Sequence, residues 1–151
     1  MQKITTFLTF NDQAEQAAKL YTSIFKNSRI LRTMPGPNGT VMGLTFELEG
    51  QLFNALNGGP SFSFAQGISL FVSCETQPEI DDVWEKLSAG GQKLRCGWLR
   101  DRFGVSWQVV PPILGELLGD TDRVRAKRVL DAMLQMTRID IATLKQASDG
   151  A

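Results

Sequence analysis

Trp98-Leu99-Arg100-Asp101-Arg102-Phe103-Gly104-Val105-Ser106-Trp107-Gln108 reads as a β-hairpin. Asp101 to Gly104 supplies turn chemistry, and strands are expected on either side, over Cys96 to Asp101 and Val105 to Val110. Working upstream, Gln92 to Arg95 is a further strand, and Gly90-Gly91 closes a helix carrying Ile80, Val83, Trp84 and Leu87 at helical spacing. Thr76-Gln77-Pro78-Glu79 opens that helix as a capping box. Before it, Ile68, Leu70, Val72 and Cys74 alternate with Ser69, Phe71 and Ser73, the period of a strand. The order is βαβββ.

The first half follows the same order. Thr5, Phe7 and Thr9 alternate with Ile4, Thr6, Leu8 and Phe10, and Asp12 with Glu15 forms a capping box. The helix it opens carries Ala14, Ala17, Ala18, Tyr21, Ile24 and Phe25. A strand over Arg29 to Met34 precedes the loop Pro35 to Gly39. Met42 to Leu48 and Leu52 to Asn57 then form a hairpin around Glu49-Gly50-Gln51. Each copy of such a unit leaves one sheet face uncovered, which it must bury against, or curl around, the other copy. After Pro111-Pro112 the pattern is helical only: Ile113 to Leu118, then Ala126, Val129, Leu130, Met133 and Leu134, then Ile141 and Leu144 behind Asp140 as cap. Its apolar stripe needs its own sheet or a second subunit as partner. Arg123, Arg125, Lys127 and Arg128 are interrupted by Asp120, Asp122 and Asp131, the mark of a solvated helix face.

Composition narrows the function. The 151 residues carry 16 Lys plus Arg and 16 Asp plus Glu, so the electrostatic footprint of a nucleic-acid binder is missing. With 42% hydrophobic residues the chain can bury a core without staples. There is no histidine, which excludes Ser-His-Asp and Cys-His nucleophilic sites, HExxH zinc sites and every imidazole-ligated metal centre. Cys74 and Cys96 form no CxxC pair and are expected as free, buried thiols. No signal-like apolar region follows Met1, and no apolar run approaches the ~20 residues of a membrane span, so a cytoplasmic protein with no membrane partner is expected.

The hairpin motif Asp101-Arg102-Phe103-Gly104-Val105 with Trp107, together with Leu56-Asn57-Gly58-Gly59-Pro60 and Cys96-Gly97-Trp98, resembles the vicinal oxygen chelate superfamily, the glyoxalase and bleomycin-resistance fold. The resemblance is closer to the branch containing the phosphonate-operon protein PhnB, whose members carry the name 3-demethylubiquinone-9 3-methyltransferase. It covers about residues 1–111 and is expected to take in the helical tail. It implies an α+β fold in which paired βαβββ modules, 1–60 and 67–111, form a curled eight-stranded, mixed but mainly antiparallel sheet. Residues 112–151 are then a C-terminal helical extension. The superfamily enzymes hold a divalent metal on the first, fourth, fifth and eighth strands, which places Thr5, Asn54, Gly67 and Gln108 at the ligand positions here. None is a carboxylate or imidazole, so no metal and no other cofactor is expected. The methyltransferase name finds no support in motifs either. No GxGxG or GxGxxG turn occurs, and Gly36-Pro37-Asn38-Gly39 and Asn57-Gly58-Gly59-Pro60 lack a following phosphate-binding helix.

Strand parity leaves Thr5, Phe7, Thr9, Leu52, Asn54, Leu56, Ser69, Phe71, Ser73, Ser106 and Gln108 on the cup face. Trp98 and Arg100 stand at its rim. The expected ligand-binding set is Thr5, Phe7, Asn54, Phe71, Trp98, Arg100 and Gln108, suited to a small hydrophobic, partly aromatic molecule held by stacking and a few hydrogen bonds. No catalytic residue is assigned. Three readings follow: a metal-independent binding protein; an enzyme in which Gln108, Asn54 and Arg100 orient a small substrate and Glu47 or Asp101 takes a proton; or a homodimeric scaffold whose cup is inert. A homodimer is the expected assembly in each.

Overall fold

The computed structural model describes residues 2–150. It divides into two compact units, residues 1–64 and 65–151. The first contains β1 (Thr6–Phe10), α1 (Ala14–Ile24), β2 (Arg29–Pro35), β3 (Val41–Leu48) and β4 (Gln51–Asn57). Its four strands lie in the order β1-β4-β3-β2, with β1 and β4 parallel and the other neighbours antiparallel. The second contains β5 (Leu70–Ser73), α2 (Gln77–Ser88), β6 (Gln92–Lys93), β7 (Trp98–Arg100) and β8 (Ser106–Val110). Its order is β5-β8-β7-β6, with the same single parallel pair. The repeat legible in the sequence is thus a repeat of topology, and the eight strands form two mixed sheets of four.

In the first unit α1 buries Ala14, Ala17, Ala18 and Tyr21. The three alanines let the helix approach the sheet closely, and Tyr21 lies 6.3 Å from the ring of Phe46, which stacks on Phe53 at 5.3 Å. The entry to α1 differs from the expected capping box. Gln13, not Asp12, occupies the cap position without a side-chain bond, and the Ala14 N–H donates instead to Asn57 Oδ1 at 2.8 Å. Asn57 Nδ2 also donates to Val41 O. A side chain that pairing brings from β4 thus does the work expected of a local residue.

In the second unit the Thr76 box forms, with Thr76 Oγ1 accepting from the Glu79 N–H. Ile80, Val83, Trp84 and Leu87 are buried on α2, which packs on β7 and β8. The expected strand start at Ile68 is wrong: Ile68 lies in a turn, 77% exposed, and β5 begins at Leu70. Cys96 and Gly97 are not strand either, because both have positive φ (61° and 82°). Their N–H groups donate to Met136 O and Thr137 O, which ties the tail to the sheet.

That tail comprises α3 (Pro112–Leu118), α4 (Arg123–Leu134) and α5 (Ile141–Asp149). Leu114, Val129, Met136, Ile139 and Leu144 form one apolar cluster with Val110 of β8, so the stripe finds its partner within its own unit. Leu130 and Leu134, expected in that stripe, face outward. Gln77 joins α5 to α2, its Oε1 accepting from the Ile141 N–H and its Nε2 donating to Ile139 O. The basic residues of α4 are more than a solvated face. Arg128 donates to Ala147 O and Ser148 O and Arg123 to Leu118 O and Asp120 O, so each satisfies carbonyls at a helix end.

Candidate functional site

A row of side chains crosses the whole first sheet. Phe7 on β1 pairs with Asn54 on β4, Asn54 with Thr45 on β3, and Thr45 with Arg32 on β2. Residues directly opposite one another project to the same face, so all four share the side away from α1. The adjacent row is Thr9, Leu56, Gly43 and Met34. Gly43 contributes no side chain there, and with Leu56 and Met34 it joins the first row in lining an open cavity of about 490 Å³. Within it Thr45 Oγ1 donates to Asn54 Oδ1 at 2.7 Å, while Phe7 keeps 56% of its surface exposed.

Arg32 owes its position to a β-bulge. The β2–β3 register passes from Ile30 opposite Phe46 to Arg32 opposite Thr45, leaving Leu31 as the extra residue. In a regular ladder Leu31 would face Thr45; the bulge re-aims the strand by one residue and puts a guanidinium there. Next along the face, Glu47 is engaged by Arg29 at 2.9 Å, so its carboxylate serves the sheet surface.

The second sheet repeats the arrangement with other side chains. Phe71 on β5 pairs with Gln108 on β8, and Gln108 with Trp98 on β7. These three line a cavity of about 340 Å³ whose remaining wall comes from Cys96, from Val110 to Pro112 and from the tail, including Leu114, Leu118 and Met133. Gln108 Nε2 donates to Ser69 Oγ at 3.0 Å, and Phe71 is 57% exposed. No charged residue lines this cavity. Ser106, expected on the open face, is buried.

The structure therefore brings Phe7 and Asn54 together in one cavity and Phe71, Trp98 and Gln108 together in another. Thr5 precedes β1 and lines neither; Arg100 is half-buried on β7, opposite Ser106, and also lines neither. Reading the sequence missed Arg32, Thr45 and Gly43, because bulge and register place them, and missed Leu114, Leu118 and Met133, because tail packing does. Asp101 is a structural group. It is 2% exposed; its Oδ1 accepts from the N–H groups of Phe103 and Val105, and its Oδ2 from Trp107 Nε1. This locks the hairpin that carries Trp98 and Gln108. Cys74 and Cys96 are free thiols. Burial, reinforced by the charge and hydrogen bond of Glu79, pushes the Cys74 thiol up to about 12.

The residues at the implied metal positions do not fit a divalent ion. Gly67 has no side chain, and Thr5, Asn54 and Gln108 offer only neutral oxygens, that of Asn54 already accepting from Thr45. Such a donor set does not offset the dehydration of a divalent cation. Among the described residues no cluster of three or more Cys, Asp or Glu stands close enough to hold one. The start of α1, where a strand-to-helix turn would hold a nucleotide-like cofactor, has its Ala14 N–H taken by Asn57.

Two βαβββ units with open sheet faces make the fold that the sequence resemblance implies, that of the glyoxalase and bleomycin-resistance proteins. Solved structures bear this out at the level of fold. A Pseudomonas aeruginosa protein matches with TM-score 0.62 at 19% identity, covering 74% of this chain and 98% of its own. The fosfomycin resistance protein FosX of Listeria monocytogenes matches with TM-score 0.58 at 17% identity, covering 79% and 98%. Nearer in sequence is a Bacillus cereus protein described as a putative 3-demethylubiquinone-9 3-methyltransferase, PhnB protein. It is 40% identical, with TM-score 0.67, over 72% of this chain and 99% of its own. The family model described as 3-demethylubiquinone-9 3-methyltransferase matches residues 2–110, and the chain belongs to that PhnB-like family. The match ends before α3, so the tail that walls the second cavity lies outside it. No curated protein matches the chain. The methyltransferase name describes no residue found in either cavity.

Proposed function

We propose that this chain binds small molecules with a flat apolar body, without a metal, on the open faces of its two sheets. The observation that carries this reading is the repeated pair of an exposed phenylalanine facing a carboxamide: Phe7 with Asn54 and Phe71 with Gln108, each in its own cavity. Leaving two aromatic rings more than half exposed forgoes about 1 to 2 kcal/mol of burial for each, which a stacked ligand recovers. The carboxamides supply directional hydrogen bonds beside the rings. Neither cavity is lined by a carboxylate, which favours binding over proton transfer, and both are open, which favours binding over an inert face. The proposal includes a cytoplasmic protein acting as a homodimer; outward-facing Leu130 and Leu134 on α4 support the second copy. No helix is long and apolar enough to cross a membrane among the described residues.

Calorimetric titration with 2-naphthamide, a neutral two-ring probe, tests the reading. Saturable binding with Kd of about 0.1 to 1 mM is expected from its size, with Phe7→Ala and Phe71→Ala each removing one component. A probe that fails to saturate, or binds both variants as it binds the parent, refutes it.

A further inference from the structure

We infer that the cavity of the first sheet is selective for organic anions, taking a flat apolar molecule that bears a carboxylate; this rests on the reading of that cavity as a small-molecule site. Arg32 is the one charged residue lining it. Its side chain forms no ion pair or hydrogen bond with any described residue, whereas that of Arg29 on the same strand is paired with Glu47. Glu47, the carboxylate next along that face, is thereby engaged, and among the described residues Arg32 has no acid against it at its end of the row. Phe7 stands at the other end, three strand spacings or about 14 Å away between backbones. Both side chains line the cavity, with Asn54 and Thr45 between them, and Leu56 lies over Gly43 in the adjacent row, where a Cβ would meet its Cδ1 at 3.2 Å, as an apolar flank for a planar body.

The guanidinium fork matches the two oxygens of a carboxylate and binds it through two parallel hydrogen bonds. A flat ring system extending from that carboxylate meets Phe7 and Leu56, with the Asn54 amide beside it. A β-bulge is retained only at a cost in ladder hydrogen bonds, and here its effect is to bring an arginine rather than a leucine to the cavity. The equivalent row of the second sheet, Phe71, Gln108 and Trp98, has no charged member, so the two cavities of one chain differ in charge preference.

The test compares 2-naphthoate with its neutral isostere 2-naphthamide by calorimetry on the full chain, using the parent, Arg32→Gln and Arg32→Lys. At 50 mM salt the parent binds naphthoate about tenfold tighter than naphthamide. Arg32→Gln abolishes that preference, and Arg32→Lys retains about half of it on a logarithmic scale, each read as the ratio of the two affinities in the same variant. Raising the salt to 500 mM weakens naphthoate binding in the parent and leaves Arg32→Gln unaffected. Equal affinity for the two probes in the parent, or a preference that survives Arg32→Gln, overturns the inference while leaving the binding function standing. Failure of both probes to bind overturns the function and the inference together.

Discussion

Replacing Asp101 tests whether one buried carboxylate organises the hairpin that presents Trp98 and Gln108. Asp101→Ala removes the acceptor of three donors, of which the Val105 N–H and Trp107 Nε1 are buried and the Phe103 N–H is half-buried. An unsatisfied buried donor costs about 1 to 3 kcal/mol, and water can reach only the third, so the expected loss is about 4 kcal/mol. Asp101→Asn keeps an oxygen for the two backbone donors but turns an amide N–H toward the indole N–H, a clash of two donors worth about 2 kcal/mol. With a urea slope of about 2 kcal/mol per M, the midpoints fall by about 2 M and 1 M. Trp107→Phe removes the indole donor at the expense of packing. The double variant Asp101→Asn/Trp107→Phe should therefore be more stable than the sum of its singles by about 1.5 to 3 kcal/mol. Urea unfolding followed by circular dichroism measures all four. A midpoint shift below about 0.5 M for Asp101→Ala, or strict additivity in the cycle, would refute the assignment.

Three further outcomes are expected. Asn57→Ala strips the Ala14 N–H of its acceptor and the Val41 carbonyl of its donor; thermal or urea unfolding should register a loss of about 1 to 2 kcal/mol, whereas Asp12→Ala should change stability by less than about 0.5 kcal/mol. Cys74 keeps its proton in the folded protein up to about pH 12 but loses it near 9.0 when unfolded, so its contribution is intact below pH 9 and declines as the pH rises toward 12. The parent's urea midpoint should thus fall more steeply than that of Cys74→Ala between pH 8 and 10, and one thiol, Cys96, should react with a disulfide reagent at pH 8 before denaturation; two reacting thiols in the native protein would contradict this. Gly97→Ala places a methyl group 2.8 Å from Val109 O and 2.9 Å from Ile139 Cγ1 at a φ of 82°, and should lower stability by about 2 to 4 kcal/mol with visible loosening of the tail in hydrogen exchange.

Periodicity alone carried the two βαβββ repeats, the Thr76 cap, the Asp101 turn and the three tail helices. These features depend on residues within a few positions of one another, where side-chain spacing and backbone preference act directly. It also placed Phe7, Asn54, Phe71 and Gln108 on open faces, because strand parity has a fixed period of two. What it could not supply was set by contacts between distant parts of the chain. Asn57 caps α1 because pairing of β1 with β4 carries it there, and Cys96 and Gly97 leave the strand because the loop at Met136 and Thr137 takes their N–H groups. Arg128, read as part of a solvated face, closes the end of α5, which packing brings near. Above all, the one-residue slip at Leu31 depends on the register of β2 against β3, and it alone decides that the charged member of the first cavity is Arg32.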